Sequence, residues 1–180
     1  MPSPARVTFD LERGRVQLGS EDSARVVVVP TAALARLLAA AAGEGVAVGR
    51  ALGEAIGARI GPSYERETSI ERGLTSIAEE LALLGLGALS LERWGRALIV
   101  VVDEAAEIGD EFLAAVIEGT LHKATSRDVR ARALGRTDGR LRVFVGRPRA
   151  VERLSALLAQ GVGWGDAVVR LHEPEREVVA

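Results

Sequence analysis

The amino-acid sequence predicts an α+β domain in which helices pack on one face of an antiparallel sheet built from two hairpins. Apolar residues recur at helical spacing in several segments, each longer than ten residues. Four short Val- and Leu-rich segments instead look like strands, and they are paired around the turn residues Trp94-Gly95 and Thr137-Asp138-Gly139. Hairpins imply antiparallel pairing, and amphipathic helices must bury their apolar stripes against such a sheet.

The N-terminal third of the chain combines a small hairpin with three helices. Segments 6–10 and 15–18 flank Glu12-Arg13-Gly14 and predict the hairpin. Residues 25–29 predict a strand or an extended lead-in that Pro30 ends. Helical spacing then predicts a first helix from Thr31 to Ala42, a second over 46–60 and a third that ends at Leu84.

The remainder alternates hairpins and helices. Strands are predicted at 89–91 and 97–102, and at 129–134 and 140–145, with helices over 110–124, 148–160 and 164–171. We interpret residues 1–180 as a single domain. It has an N-terminal hairpin and extended segment (1–30), a helix-sheet core (31–172) and a charged, mobile tail (173–180).

Composition narrows the chemistry. The chain has 180 residues, of which 48% are hydrophobic and 27% charged, and its formal net charge is −2. This balance is typical of a globular domain and provides no general attraction to nucleic acid or membranes. The absence of cysteine excludes disulfides, thiolate metal sites and cysteine nucleophiles. No secretory signal is visible, and Pro30 and Arg36 interrupt the most apolar stretch, so we expect a cytoplasmic protein without a membrane span.

Residues 44–146 carry a recognisable order of motifs. A glycine-rich helix (GRALGEAIG) is followed by LGLGALSL, a Val-rich strand, a helix with IEGTLHKAT and a hairpin ending RVFVG. This order resembles the 4-vinyl-reductase-type small-ligand domain, whose eukaryotic relatives are subunits of the TRAPP vesicle-tethering complex. The resemblance implies helices on an antiparallel sheet, dimerisation through helices, and a binding or assembly role. Some members hold hydrophobic molecules between helices and sheet. The cysteines that some members use for metal or acyl attachment have no counterpart here.

Glycines spaced by four residues, at 45, 49, 53, 57 and 61, mark the second predicted helix. Each interior glycine costs about 1 kcal/mol relative to alanine, so close packing has to compensate. We interpret Gly49, Gly53 and Gly57 as a close-packing or dimer surface, with packing inside the chain as the first alternative. The wall of a ligand cavity is a further alternative, and Leu52, Ile56, Leu81 and Phe112 are the predicted cavity residues.

Charge is divided sharply in the second half of the sequence. Residues 102–122 contain six acids and no Lys or Arg, whereas residues 123–153 contain ten basic side chains against three acids. The two-residue period places Arg130 and Arg132, with Arg140 and Arg142 on the neighbouring strand, on one face of the second hairpin. This face is either solvated and partly neutralised by the acidic segment, or it docks an acidic protein partner.

Catalytic signatures are missing from the sequence. It has no P-loop, G-x-S-x-G or H-E-x-x-H motif, and His122 lacks the neighbours of a base or of a haem ligand. Trp164 is predicted to plug a core edge rather than anchor a partner, and Trp94 to be exposed at a hairpin tip. We therefore predict a protein without enzymatic activity, cofactor or metal.

Two functions fit these features. The first is a homodimeric binding or scaffold module that engages a protein partner through its sheet or helix surface. The alternative is a sensor domain that binds a small hydrophobic ligand in a cavity between helices and sheet. A cavity would favour the sensor, whereas a large exposed apolar helix face would favour the scaffold.

Overall fold

The computed structural model describes residues 7–18, 24–41, 43–64, 70–95 and 97–171. In these ranges the chain forms seven strands and six helices. The strands are β1 (Val7–Asp10), β2 (Arg15–Leu18), β3 (Ala24–Val26), β4 (Ala88–Trp94), β5 (Ala97–Asp103), β6 (Arg130–Thr137) and β7 (Arg140–Gly146). The helices are α1 (Thr31–Ala40), α2 (Gly45–Tyr64), α3 (Ile70–Leu83), α4 (Asp110–Thr125), α5 (Pro148–Ala159) and α6 (Trp164–Arg170). The tail predicted at 173–180 lies outside the described residues.

The main sheet has four antiparallel strands in the order β4-β5-β7-β6. The hairpins β4–β5 and β6–β7 join it through the two inner strands, so that Val100 pairs with Leu91 on one side and with Val143 on the other. The predicted α+β class and both central hairpins are thereby confirmed.

Helices cover both faces of this sheet, so the predicted placement on a single face is wrong. Val100 and Val102 of β5 pack in the larger core with α2, α3 and α4. The alternate residues Ile99 and Val101 pack in a second core with Phe144 and with α5 and α6. Because successive side chains of a strand point to opposite faces, an apolar run such as that of β5 requires a covering layer on each side.

The glycines of α2 bring its backbone against α4. Gly49, Gly53 and Gly57 lie at the carbonyl groups of Phe112, Val116 and Thr120, one turn apart along α4. Gly119 of α4 makes the reciprocal approach to the backbone of α2. Eleven of the 16 residues of α4 are buried, which makes it the central helix between α2 and the sheet. The glycine spacing therefore serves close packing within the chain.

The N-terminal strands form a sheet of their own, in the order β1-β2-β3. The predicted hairpin is present, with Val7 opposite Leu18. The strand predicted over 25–29 is shorter than expected, because β3 ends at Val26 and residues 27–30 lead into α1 without strand pairing. Leu18 is buried, whereas Phe9 is exposed.

Candidate functional site

The four predicted partner-binding arginines lie in ion pairs with acids of the same chain. Each pair joins a strand of the second hairpin to an acid of α4 or of β4–β5: Arg130 with Glu118 (3.2 Å), Arg132 with Glu111 (3.1 Å), Arg140 with Asp103 (2.6 Å) and Arg142 with Glu92 (3.2 Å). The acidic segment and the basic segment of the sequence thus face each other in the fold. The Arg130, Arg132 and Arg140 side chains remain about half exposed, and an external carboxylate would have to share them with these internal partners.

Glu118 is the most deeply buried member of this network. Its carboxylate accepts hydrogen bonds from Arg50 of α2 (2.9 Å), from Arg130 of β6 (3.2 Å) and from the backbone N–H of Ala131 (2.9 Å). A buried carboxylate is tolerable only when charged and polar partners replace its lost hydration. Glu118 therefore ties α2, α4 and the edge strand β6 together.

A small polar cleft of about 160 Å³ lies beside this network, and His122 lines it with Arg50, Glu118 and Asp128. The Nδ1 atom of His122 lies 2.9 Å from the carbonyl oxygen of Arg127, so this nitrogen carries the proton and donates. That bond fixes the ring to the end of its own helix. Within the described part of the chain, no group of three or more His, Asp or Glu side chains could hold a metal ion.

A β-bulge in β6 places Arg136 on the face of the sheet opposite to the one that the two-residue period predicts from Arg130 and Arg132. The pairing of β6 with β7 shifts between Ala133 and Gly135, and Arg136 then pairs with the core residue Leu141. The Arg136 guanidinium donates to the carboxylate of Asp110 (2.8 Å) and to the carbonyl oxygens of Ala105 and Ala106. It thereby secures the loop before α4, a role that requires the bulge.

The two tryptophans meet on the opposite face of the sheet. Trp94 and Trp164 contact edge to face with centroids 4.8 Å apart, and the Arg142 guanidinium lies 5.7 Å from the Trp164 ring centroid. Glu92 accepts hydrogen bonds from Arg142 and from the Trp94 indole N–H. The pKa of Glu92 lies below its usual value, mainly because Arg142 donates hydrogen bonds to its carboxylate. These four side chains join the β4–β5 hairpin to α6. Sequence analysis does not reveal this contact, because Trp94 and Trp164 lie far apart in the chain.

An apolar cleft lies between α1 and the first turns of α2 and α4. This α1 cleft has a volume of about 430 Å³. Its apolar walls come from all three helices and from the loop before α4, namely Ala35, Leu38, Ala39, Val46, Ile108 and Phe112. Glu107 and Glu111 are its charged lining residues. Gly109, with φ of 106°, makes the turn that starts α4 at the cleft.

The predicted cavity residues divide between this cleft and the core. Phe112 lines the α1 cleft. Ile56 and Leu81 are buried in the packed core between helices and sheet, and Leu52 packs partly buried against it. Of the four predicted residues, Phe112 lines the α1 cleft, whereas the other three lie in the packed core or against it. The contribution of α1 was missed, because alanines carry little signal for a binding wall.

A third cleft, of about 520 Å³, follows the edge strand β6 between α4 and α5. Charged residues of both signs line it, among them Arg130, Arg132, Glu111 and Glu152. The Arg132 Nε atom is buried without a hydrogen-bond partner, although the rest of the side chain is partly exposed and pairs with Glu111. This mixed charge contrasts with the apolar wall of the α1 cleft. By length and hydropathy, none of the helices in the described ranges could span a bilayer.

Sequence comparison identifies no relative of this chain: no family model and no curated protein matches it. Its fold is similar to the crystal structure of the phenol-responsive sensory domain of the transcription activator PoxR with phenol. The similarity covers 94% of this chain and 93% of that one, with a TM-score of 0.59 and 14% sequence identity. The two chains therefore share their fold over nearly their whole lengths.

Proposed function

We propose that this protein is a sensor domain that binds a small apolar molecule in the α1 cleft. The observation that carries the proposal is the cleft itself, whose volume of about 430 Å³ lies within the range of small-molecule sites. The proposal is also supported by the similarity of the fold to a sensory domain that was solved with phenol. Because no family model and no curated protein matches the sequence, this support comes from the fold alone.

The chemistry of the cleft indicates the class of ligand. Leu38, Val46, Ile108 and Phe112 offer apolar surface, and an apolar cavity of about 150 Å³ already holds benzene. The α1 cleft is therefore large enough for a substituted single ring or a short aliphatic molecule. The Glu111 carboxylate can accept a hydrogen bond from a ligand hydroxyl while it keeps its ion pair with Arg132.

The cleft is also placed where binding can change the structure. No residue of α1 is fully buried, so few contacts hold this helix against the core. A ligand between α1 and α4 would bury Leu38 and add contacts that α1 lacks when the cleft is empty. Ligand binding would thereby favour a docked position of α1, which is the population shift that a sensor requires.

Phenol titration followed by isothermal calorimetry tests this function. Ala39 lines the cleft, and Ala39→Trp would fill it, whereas Ala33→Trp adds the same group to an exposed position of α1 that is not part of the cleft. We expect wild type and Ala33→Trp to bind phenol or a larger substituted ring, and Ala39→Trp to bind it at least about tenfold more weakly. Equal affinity in all three proteins, or no binding of any small aromatic, would reject the α1 cleft as a ligand site.

The scaffold interpretation remains a prediction. In that interpretation the protein is a homodimer that docks an acidic partner through Arg130, Arg132, Arg140 and Arg142. The side chains of Arg130, Arg132 and Arg140 are about half exposed, whereas that of Arg142 is 20% exposed. Glu substitutions at these four positions would also break the internal ion pairs, so partner binding has to be measured on protein that is shown to be folded. The predicted absence of enzymatic activity and cofactors, the cytoplasmic location and the 4-vinyl-reductase resemblance also stay predictions.

A further inference from the structure

The charged residues that the structure places in the α1 cleft are both acids. They are Glu107, in the loop before α4, and Glu111, in the first turn of that helix. The other described residues that line the cleft are glycines, alanines and larger apolar side chains, and no lysine, arginine or histidine is among them. The cleft therefore offers a ligand an apolar wall with negative charge beside it.

The charges of these two carboxylates are only partly neutralised. Glu111 pairs with Arg132 of β6 (3.1 Å), which does not line the cleft. The Glu107 side chain is exposed and has no ion pair or hydrogen bond within the described part of the chain. Arg36 of α1 and Glu44 before α2 are also exposed, do not line the cleft and cancel each other in charge. The cleft therefore keeps an excess of negative charge.

The start of α4 contributes a smaller charge of the opposite sign. The N-terminus of a helix carries about half a positive elementary charge, and Gly109, which caps α4, lines the cleft. Asp110 and Glu111 lie in the first turn and already face this charge. Because the half charge is smaller than the full charge of the Glu107 carboxylate, the helix end does not reverse the balance.

We infer that the α1 cleft selects a small amphipathic amine. Its apolar ring or chain lies against Leu38 and Phe112, and its protonated nitrogen faces Glu107 and Glu111. The inference rests on the proposed function and specifies the class of ligand for the same site. An ammonium group donates hydrogen bonds and also carries the charge that the two carboxylates attract. A neutral hydroxyl can only donate a hydrogen bond, and a carboxylate on the ligand would be repelled.

Three ligands of similar size separate the effect of charge from that of apolar contact. Benzylamine, benzyl alcohol and benzoate are cationic, neutral and anionic at neutral pH, since an alkylamine is protonated there as a lysine side chain is. One exposed ion pair changes an affinity by up to about fivefold, and here two carboxylates act on the same group. In calorimetric titrations we expect benzylamine to bind at least about threefold more tightly than benzyl alcohol and at least about tenfold more tightly than benzoate. Equal affinities, or tighter binding of benzoate, would overturn the inference.

Two substitutions should change this preference in opposite directions. Glu107→Gln removes one negative charge at nearly constant shape, and we expect it to weaken benzylamine binding by about threefold and to narrow the preference over benzyl alcohol. Arg132→Gln removes the positive charge that neutralises Glu111 from outside the cleft. We expect it to strengthen benzylamine binding by about threefold and to weaken benzoate binding. A loss of structure would weaken all three ligands alike, so opposite signs can only come from charge.

Glu104→Gln and Arg149→Gln are the matched controls for these two variants. Glu104 is exposed near Glu107 in the sequence and does not line the cleft. Arg149 is exposed on α5, which covers the opposite face of the sheet. Each control makes the same change in net charge as its counterpart, and neither should alter the ratio of benzylamine affinity to benzoate affinity. Controls that shift this ratio as much as the test variants would show that overall charge sets the preference, which contradicts the inference.

The same ligands separate this inference from the proposed function. If benzyl alcohol and benzylamine bind equally well and Ala39→Trp weakens both, the α1 cleft is a ligand site and the selection of amines is wrong. If none of the three ligands binds, the proposed function and the inference fail together. Ionic strength gives a further readout, because added salt should weaken benzylamine binding and strengthen benzoate binding. The same salt dependence for both ligands would contradict the role of the two carboxylates.

Discussion

Replacing Gly53 by alanine is expected to destabilise the protein, although alanine is the better helix former. At a solvent-exposed position inside a helix, replacing glycine by alanine would stabilise the helix by about 1 kcal/mol. In this structure an added Cβ at position 53 would lie 2.8 Å from the backbone nitrogen of Thr120 and even closer to the Val116 carbonyl oxygen. Both are backbone atoms of α4, so no side-chain rotation can relieve the overlap.

The size of the effect follows from this geometry. An ordinary contact of a Cβ atom requires about 3.4 Å or more, so α2 and α4 have to separate or tilt around residue 53. Such overpacking in a core typically costs about 1 to 3 kcal/mol, with larger costs where backbone must move. Because Gly53 meets the most buried part of the central helix, we expect a cost in the upper part of this range. That cost exceeds the stabilisation that alanine gains from its higher helix propensity. The net loss is then about 2 kcal/mol.

Urea unfolding measured by circular dichroism provides the test, with Gly45→Ala as the matched control. Gly45 begins the same helix, its φ is not positive, and an added Cβ would meet nothing within 4 Å. We expect Gly45→Ala to leave stability unchanged or to raise it by a few tenths of a kcal/mol. For a protein of this size the loss at Gly53 corresponds to a decrease in Tm of about 4 to 8 °C. A Gly53→Ala protein as stable as the wild type would show that α2 and α4 do not pack as closely as described.

Two other substitutions test the polar network. Glu118→Ala should lower the unfolding free energy by about 2 to 3 kcal/mol in urea unfolding, because the part-buried Ala131 N–H and the guanidinium groups of α2 and β6 lose their shared buried acceptor; a loss as small as that of an exposed ion pair would contradict this role. Glu92→Gln should cost about 1 kcal/mol at neutral pH. Since Arg142 lowers the pKa of Glu92 in the folded state, the Glu92 contribution is present above the unfolded-state value near 4.5 and is lost as pH falls through the lowered value. Wild type and Glu92→Gln should therefore converge in stability in acid, and a constant difference down to that pH would exclude the ion pair as its source.

The elements of the main sheet could be predicted from the sequence because their signals are local. The short apolar run at 97–102 and the turn residues at 137–139 are recognised from neighbouring residues alone, and both hairpins are present. The glycine spacing of α2 likewise predicted close packing, but it did not show which element packs against the glycines. The pairing of β6 with β7 contains a bulge that no local sequence pattern predicted. Because of this bulge, Arg136 faces the loop before α4 and donates hydrogen bonds to it.

The candidate site was predicted less well than the fold. Phe112 was identified as a cavity residue, but its neighbours in the cleft come from α1, from the start of α2 and from the loop at 107–109. Alanine side chains carry no functional group, so the sequence does not show that they line a binding site. Their role as a wall depends on which helices leave space between them. The contact of Trp94 with Trp164 similarly joins two residues that the sequence separates widely.

The sequence by itself determined which residues are apolar, where helices and strands begin, and that thiol chemistry is absent, since these depend on composition and on short-range periodicity. Only the tertiary structure decided that helices cover both faces of the sheet, that acidic and basic segments neutralise each other, and that α1 stands over a cleft with its outer side uncovered. The physical reason is that packing selects among many arrangements with the same local pattern. The choice depends on contacts between residues that are far apart in the chain and close in space.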